Sequence, residues 1–152
     1  MQNQTTAVWD VLASKAKAEV RQAQSRFDNA RAREEQGIDR DHKVDLMLVE
    51  YSEQLNVIQA KTHSTTEAAN YRQFIVQLQS IKADSSRQLL MYRADRTAAS
   101  KQLLLAEQER QKYEQLAERA QTKQRVALMR QETKEAEMQS MMQFNLSSRR
   151  QL

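Results

Sequence analysis

Side chains that could make or break bonds are scarce in this sequence. Its two histidines, His42 and His63, sit among polar neighbours, and neither stands at metal-ligand spacing from other ligands. There is no Cys, which excludes disulfides and thiolate metal sites. One Gly, Gly37, is too few for the usual glycine loop that cradles a phosphate. That leaves 20 Asp and Glu as the only plentiful candidates for acid–base chemistry. A carboxyl does such work near neutral pH when an enclosed, water-poor cavity raises its pKa. The residues therefore predict no catalytic site, no metal and no cofactor, and a chain that works by binding other proteins.

Gly and Pro are the strongest helix breakers. A chain of 152 residues with one Gly and no Pro has few places to turn. At 5% aromatic and 29% charged, with abundant Gln, Arg, Glu and Ala, the composition suits long solvated helices better than a thick core. No apolar run approaches the roughly 18 residues that span a bilayer. The start, MQNQTTAVWDVLASKAKAEV, is too polar for a signal-peptide core, so a cytoplasmic protein is expected. Charge is uneven: residues 1–70 hold 9 Lys/Arg against 11 Asp/Glu, and residues 71–152 hold 15 against 9. The basic second half suits an acidic partner, or is ordinary solvation of an exposed helix. Nucleic acid is disfavoured, because acidic residues interrupt the basic ones and few aromatics are there to stack on bases.

Apolar and small residues recur at spacings of three and four through Trp9, Leu12, Ala16, Val20, Ala23, Phe27 and Ala30. The series resumes at Val44, Leu48, Tyr51, Leu55 and Ile58. This is the narrow stripe of a coiled coil, not the broad face of a globular helix. The segment between, EEQGIDRDHK at 34–43, reads as an interruption. Gly37 within it costs a helix roughly 1 kcal/mol relative to Ala. It falls near the seam, where it permits a close approach or a bend, and the helix is expected to continue in weakened form.

The strongest turn signal is KTHSTTEAAN at 61–70, with a capping box at Ser64 and Glu67. The expected fold is all-α, one antiparallel two-helix coiled-coil hairpin forming a single domain over 1–152. It comprises a first helix of about 5–62, a turn at about 62–66 and a second helix of about 66–146. In the second helix Leu78, Ser85, Tyr92, Ala99, Ala106, Tyr113, Ala120 and Ala127 stand seven apart, flanked by Leu89, Leu103 and Ala117. Arg96 and Arg110 interrupt the flanking row, although their stems still cover apolar surface. A turn near residue 63 opposes Phe27 to Ala99/Ser100, Trp9 to Ala117/Ala120, Ala23 to Leu103/Leu104 and Ala16 to Tyr113. Large meets small in both directions, which favours an intramolecular hairpin over a parallel dimer. The second arm is the longer. Roughly 20 C-terminal residues lack a partner, and a lone helix of that length is marginal in water. They carry Val126, Met129, Met138, Met141, Met142 and Phe144, a composition suited to an adaptable binding surface. This overhang either orders on a partner or frays.

The string NYRQFIVQLQ, from Asn70, resembles the start of the second long helix in the flagellar export family FliJ. VEYSEQL late in the first helix and the Gln/Arg-rich second helix support the likeness, which is specific over about residues 48–90. The resemblance implies a cytoplasmic component of the flagellar type III export apparatus, peripheral to the cytoplasmic face of the inner membrane. It implies a hairpin similar to the central stalk of rotary ATPases, with paired termini inserted into the hexameric export ATPase. It further implies coupling of that ATPase to the export gate protein FlhA and escort of export chaperones. By motif, the gate surface carries onto Phe74, Leu78, Ile81 and Ser85, and onto Leu48, Tyr51 and Leu55. Phe74, Leu78, Ile81 and Ser85 are spaced 4, 3 and 4 and form one helical stripe. Leu78 also belongs to the seven-residue series and Tyr51 to the seam, so packing is a second role open to both. Phe74 and Ile75 are adjacent and cannot both face the first helix. Ser85 and Leu55 depart from what the family often has there. At the paired termini the ATPase candidates are Trp9, Arg119, Arg125, Met129 and Met138. Two other readings share the fold: the stalk of a virulence injectisome, and a general coiled-coil chaperone that holds unfolded clients without an ATPase.

Overall fold

The computed structural model describes residues 2–61 and 65–151, with side chains from residue 4. Helix α1 spans Gln2–Lys61 and helix α2 spans Thr65–Arg150. They pack against each other as an antiparallel helical hairpin. With no Pro to remove a backbone donor, both helices run unbroken. Lys61 in the last turn of α1 and Glu67 in the first turn of α2 carry the charges that helix dipoles favour. His63 and the Ser64 half of the capping box lie outside the described residues. The packing forms two compact units, Met1–Val20 with Leu105–Leu152, and Arg21–Leu104.

In the unit Arg21–Leu104, α1 buries Ala23, Ala30 and Val44, and α2 buries Ala68, Leu78 and Leu89. Phe27, Leu48, Tyr51, Leu55 and Ile58 are half-buried on α1, as are Tyr71, Ile75, Tyr92, Ala99 and Leu103 on α2. The structure differs from the expected interruption at 34–43. Glu34, Gly37 and Asp41 carry the same three-and-four spacing across from Ala30 to Val44, with Glu34 and Gly37 buried and Asp41 half-buried. The seam is unbroken and only its chemistry changes. A search for apolar residues misses this stretch because the compensating groups lie on the other helix.

Each polar residue there meets its complement. Arg96 Nη1 donates to Glu34 Oε2 at 2.9 Å, and Arg93 Nε lies 4.0 Å from Glu34 Oε1. Lys82 Nζ donates to Asp41 at 2.7 Å and to Asp45 at 2.8 Å, and Ser86 donates to Asp41 at 3.2 Å. The Lys82 bond holds the Asp41 carboxyl below its ordinary range, against a smaller opposing effect of burial. The same bond, then that to Asp45, raises the Lys82 ammonium. Gly37 lies beneath an aromatic ring. A Cβ there would stand 2.9 Å from Tyr92 Cδ2 and 3.4 Å from Leu89 Cδ1. The residue therefore serves a close approach, and α1 stays continuous through it.

In the unit Met1–Val20 with Leu105–Leu152, Ala13, Ala16 and Ala117 are buried. These small residues leave room for Trp9 and Tyr113, whose ring centroids are 6.4 Å apart. The Thr6 hydroxyl donates to Gln124 at 3.2 Å. Arg110 and Lys17 converge on Glu114 at 3.2 and 3.7 Å. Along α2, Lys82, Arg96, Arg110 and Gln124 stand 14 residues apart, and each has a polar partner.

Gly37→Ala gains helix propensity but forces Tyr92 aside. The expected net loss is about 1 kcal/mol, read as a lower urea midpoint at unchanged slope. In a Tyr92→Ala background the same substitution is expected to stabilise. Asp41→Asn is expected to destabilise at neutral pH. A depressed carboxyl pKa contributes stability above the ordinary range near 4 and loses it as pH falls through the folded value. The gap between wild type and Asp41→Asn should therefore narrow as pH falls below the ordinary carboxyl range. A gap that does not narrow with falling pH would detach the effect from the Asp41 charge.

Candidate protein-binding surfaces

The start of α2 fixes the first surface. Ile75 turns toward α1 and is half-buried, so its neighbour Phe74 is turned to the flank and remains 36% exposed. The Phe74 ring meets Tyr51 edge-on at 4.6 Å, and Tyr51 lies 6.0 Å from Tyr71. With Asn70 these three rings line an open hollow of about 260 Å³. The four-residue stripe divides by its position in the seven-residue repeat. Leu78 and Ser85 share one position and are buried at 3% and 7% exposure. Phe74 and Ile81 share another, and Ile81 is 50% exposed. Leu48, Tyr51 and Leu55 are half-buried in the seam. The residues that remain available are thus Phe74 and Ile81, with part of Tyr51.

Sequence reasoning passed over Met47, which is 38% exposed. It stands immediately before the seam residue Leu48, as Phe74 stands before Ile75 and Ile81 before Lys82. That shared flanking position is the signal that finds it. Leu46, Val49 and Val76 are also exposed in this unit, at 53–63% counting Val57 beside them.

The second surface lies at the termini. Trp9 lines a hollow of about 370 Å³ with Thr5, Thr6, Leu116, Arg119, Ala120, Lys123 and Gln124. Arg119 is therefore brought to Trp9, and Lys123 joins them without having been anticipated. Arg125, Met129 and Met138 are exposed on α2 and do not line this hollow. Every described residue after Ala127 is exposed, including Met141, Met142, Phe144 and Leu146.

The electrostatics suit binding better than reaction. Asp41 and Lys82 are both shifted toward their charged forms, the reverse of what a general acid or base requires. Among the described residues, no three His, Cys, Asp or Glu side chains gather as a metal site would require. No described helix is long and apolar enough to cross a membrane.

The model of the flagellar FliJ protein family matches residues 10–149, nearly the whole hairpin. The chain belongs to the FliJ family. No curated protein and no solved structure matches it. Membership makes it a flagellar protein related to type III export. FliJ proteins are export components and not enzymes.

The two halves of the α2 stripe should respond differently to truncation. Leu78→Ala removes a buried side chain and is expected to cost about 2–3 kcal/mol. Ile81→Ala should change stability by no more than about 0.5 kcal/mol. Urea unfolding followed by circular dichroism separates them, and equal losses would place Ile81 in the packing.

Proposed function

We propose that this FliJ-family chain is the stalk of the flagellar export apparatus. It binds the hexameric export ATPase through its termini and couples it to the gate protein FlhA through the surface beside the turn. It also escorts export chaperones. It resides in the cytoplasm, peripheral to the inner membrane through the apparatus. The observation that supports this reading most is the divided stripe. Leu78 and Ser85 are held under α1, while Phe74 and Ile81 stand exposed beside the Tyr51 ring. A surface used for binding must be both rigid and uncovered, and this one is anchored by its own buried neighbours. Leu48 and Leu55 support it from α1. At the termini, Trp9 and Arg119 offer an aromatic and a cation on one hollow. Arg125, Met129 and Met138 extend that contact along α2. The flagellar family match favours this system over a virulence injectisome.

Two measurements test the assignment. Adding the chain to its export ATPase should raise turnover. The absence of both stimulation and ring association would refute the stalk. Phe74→Ala with Ile81→Ala should weaken binding to the FlhA cytoplasmic region about tenfold or more, a loss of roughly 1.4 kcal/mol. ATPase stimulation should survive that change, whereas Met129→Ala with Met138→Ala should reduce stimulation and spare the gate.

A further inference from the structure

A third surface uses none of the residues assigned to these two. Within the unit Arg21–Leu104, the polar stretch of the seam leaves an open hollow of about 710 Å³. Phe27 and Glu34 line it from α1, and Arg93, Arg96, Thr97, Ser100, Lys101 and Leu104 from α2. The side chains of Arg93 and Arg96 are 55% and 46% exposed even though Glu34 engages them. Glu34 itself is only 10% exposed, so its charge is spent inside the seam and the two guanidiniums present their remaining donors outward. Lys101 adds a third cation on the same wall, and Leu104 stands 56% exposed beside it. The hollow thus combines a cationic wall with apolar ground at Phe27 and Leu104.

We propose that this hollow receives an acidic amphipathic helix of a partner protein. Apolar side chains of that helix would enter between Phe27 and Leu104, and its flanking carboxylates would meet Arg93, Arg96 and Lys101. Helix-in-groove docking needs such anchors at helical spacing. Arg suits the carboxylates because its planar fork bonds them in pairs. A nucleic-acid backbone fits less well. A phosphate chain would leave the apolar ground at Phe27 and the exposed Leu104 uncovered. The surface is separate from the gate and ATPase contacts proposed above and does not depend on them.

The test uses the full chain and a fluorescent synthetic helix of about 20 residues, with Leu on one face and Glu on its flanks. Wild type should bind it, more weakly as salt rises. Arg93→Gln with Lys101→Gln leaves the Glu34–Arg96 pair intact and should weaken binding about tenfold, as should Leu104→Asn. Lys15→Gln with Lys43→Gln removes as much charge elsewhere and should leave binding unchanged. Circular dichroism checks that each variant keeps its helices. No binding, an equal loss in the Lys15/Lys43 variant, or equal binding of a single-stranded oligothymidylate of matched charge would each overturn the proposal. Because the readout is peptide anisotropy, either result leaves the gate and ATPase assignments to their own assays.

Discussion

Charge placed where two helices meet is the constraint on which this fold turns. Glu34 sits in the seam at 10% side-chain exposure and is held by Arg96. A buried carboxylate without a partner is costly, whereas the pair itself adds little, because Arg96 is nearly half in water. The contribution is therefore one of specificity. Arrangements that leave Glu34 or Asp41 without a cation bear that penalty. The close approach of Tyr92 over Gly37 falls between the Glu34–Arg96 and Asp41–Lys82 pairs.

The same thin seam decides what is left for partners. Two helices cover two positions in every seven, and the positions beside them stay partly open. Phe74, Ile81 and Met47 occupy such positions, and their exposure follows from a core that is one layer deep. Among the described residues, no large side chain is fully buried. A chain built this way has little interior for chemistry and a great deal of flank for recognition.

Much of this was legible in the residues. The want of Gly and Pro gave the helices, and the three-and-four spacing marked the seam. The opposition of Trp9 to small residues near Ala120 anticipated the hollow that both now line. The reading failed at 34–43 because it followed hydrophobicity, while the structure follows position. Glu34 and Asp41 make sense in a seam only once Arg96 and Lys82 are known to face them. The gate stripe was legible as a stripe but not in its division. A spacing of 4, 3 and 4 keeps four residues on one side of a helix without saying which of them a single neighbouring helix will cover. Met47 escaped for the same reason.

The 14-residue recurrence of Lys82, Arg96, Arg110 and Gln124 bears on the register of the pairing. Coiled coils can mispair by whole heptads, because such a slip keeps every seam residue in the seam. Here a slip of one heptad sets the Glu34 carboxylate against Leu89 or Leu103. A slip of two returns a cation to Glu34, either from Lys82, which carries Arg96 to Val20, or from Arg110, which carries Arg96 to the place Lys82 holds beside Asp41. The helix that keeps the beat is thus read against one that does not. A one-heptad misalignment therefore leaves the Glu34 carboxylate in the seam without a cation, and the seam discriminates against it.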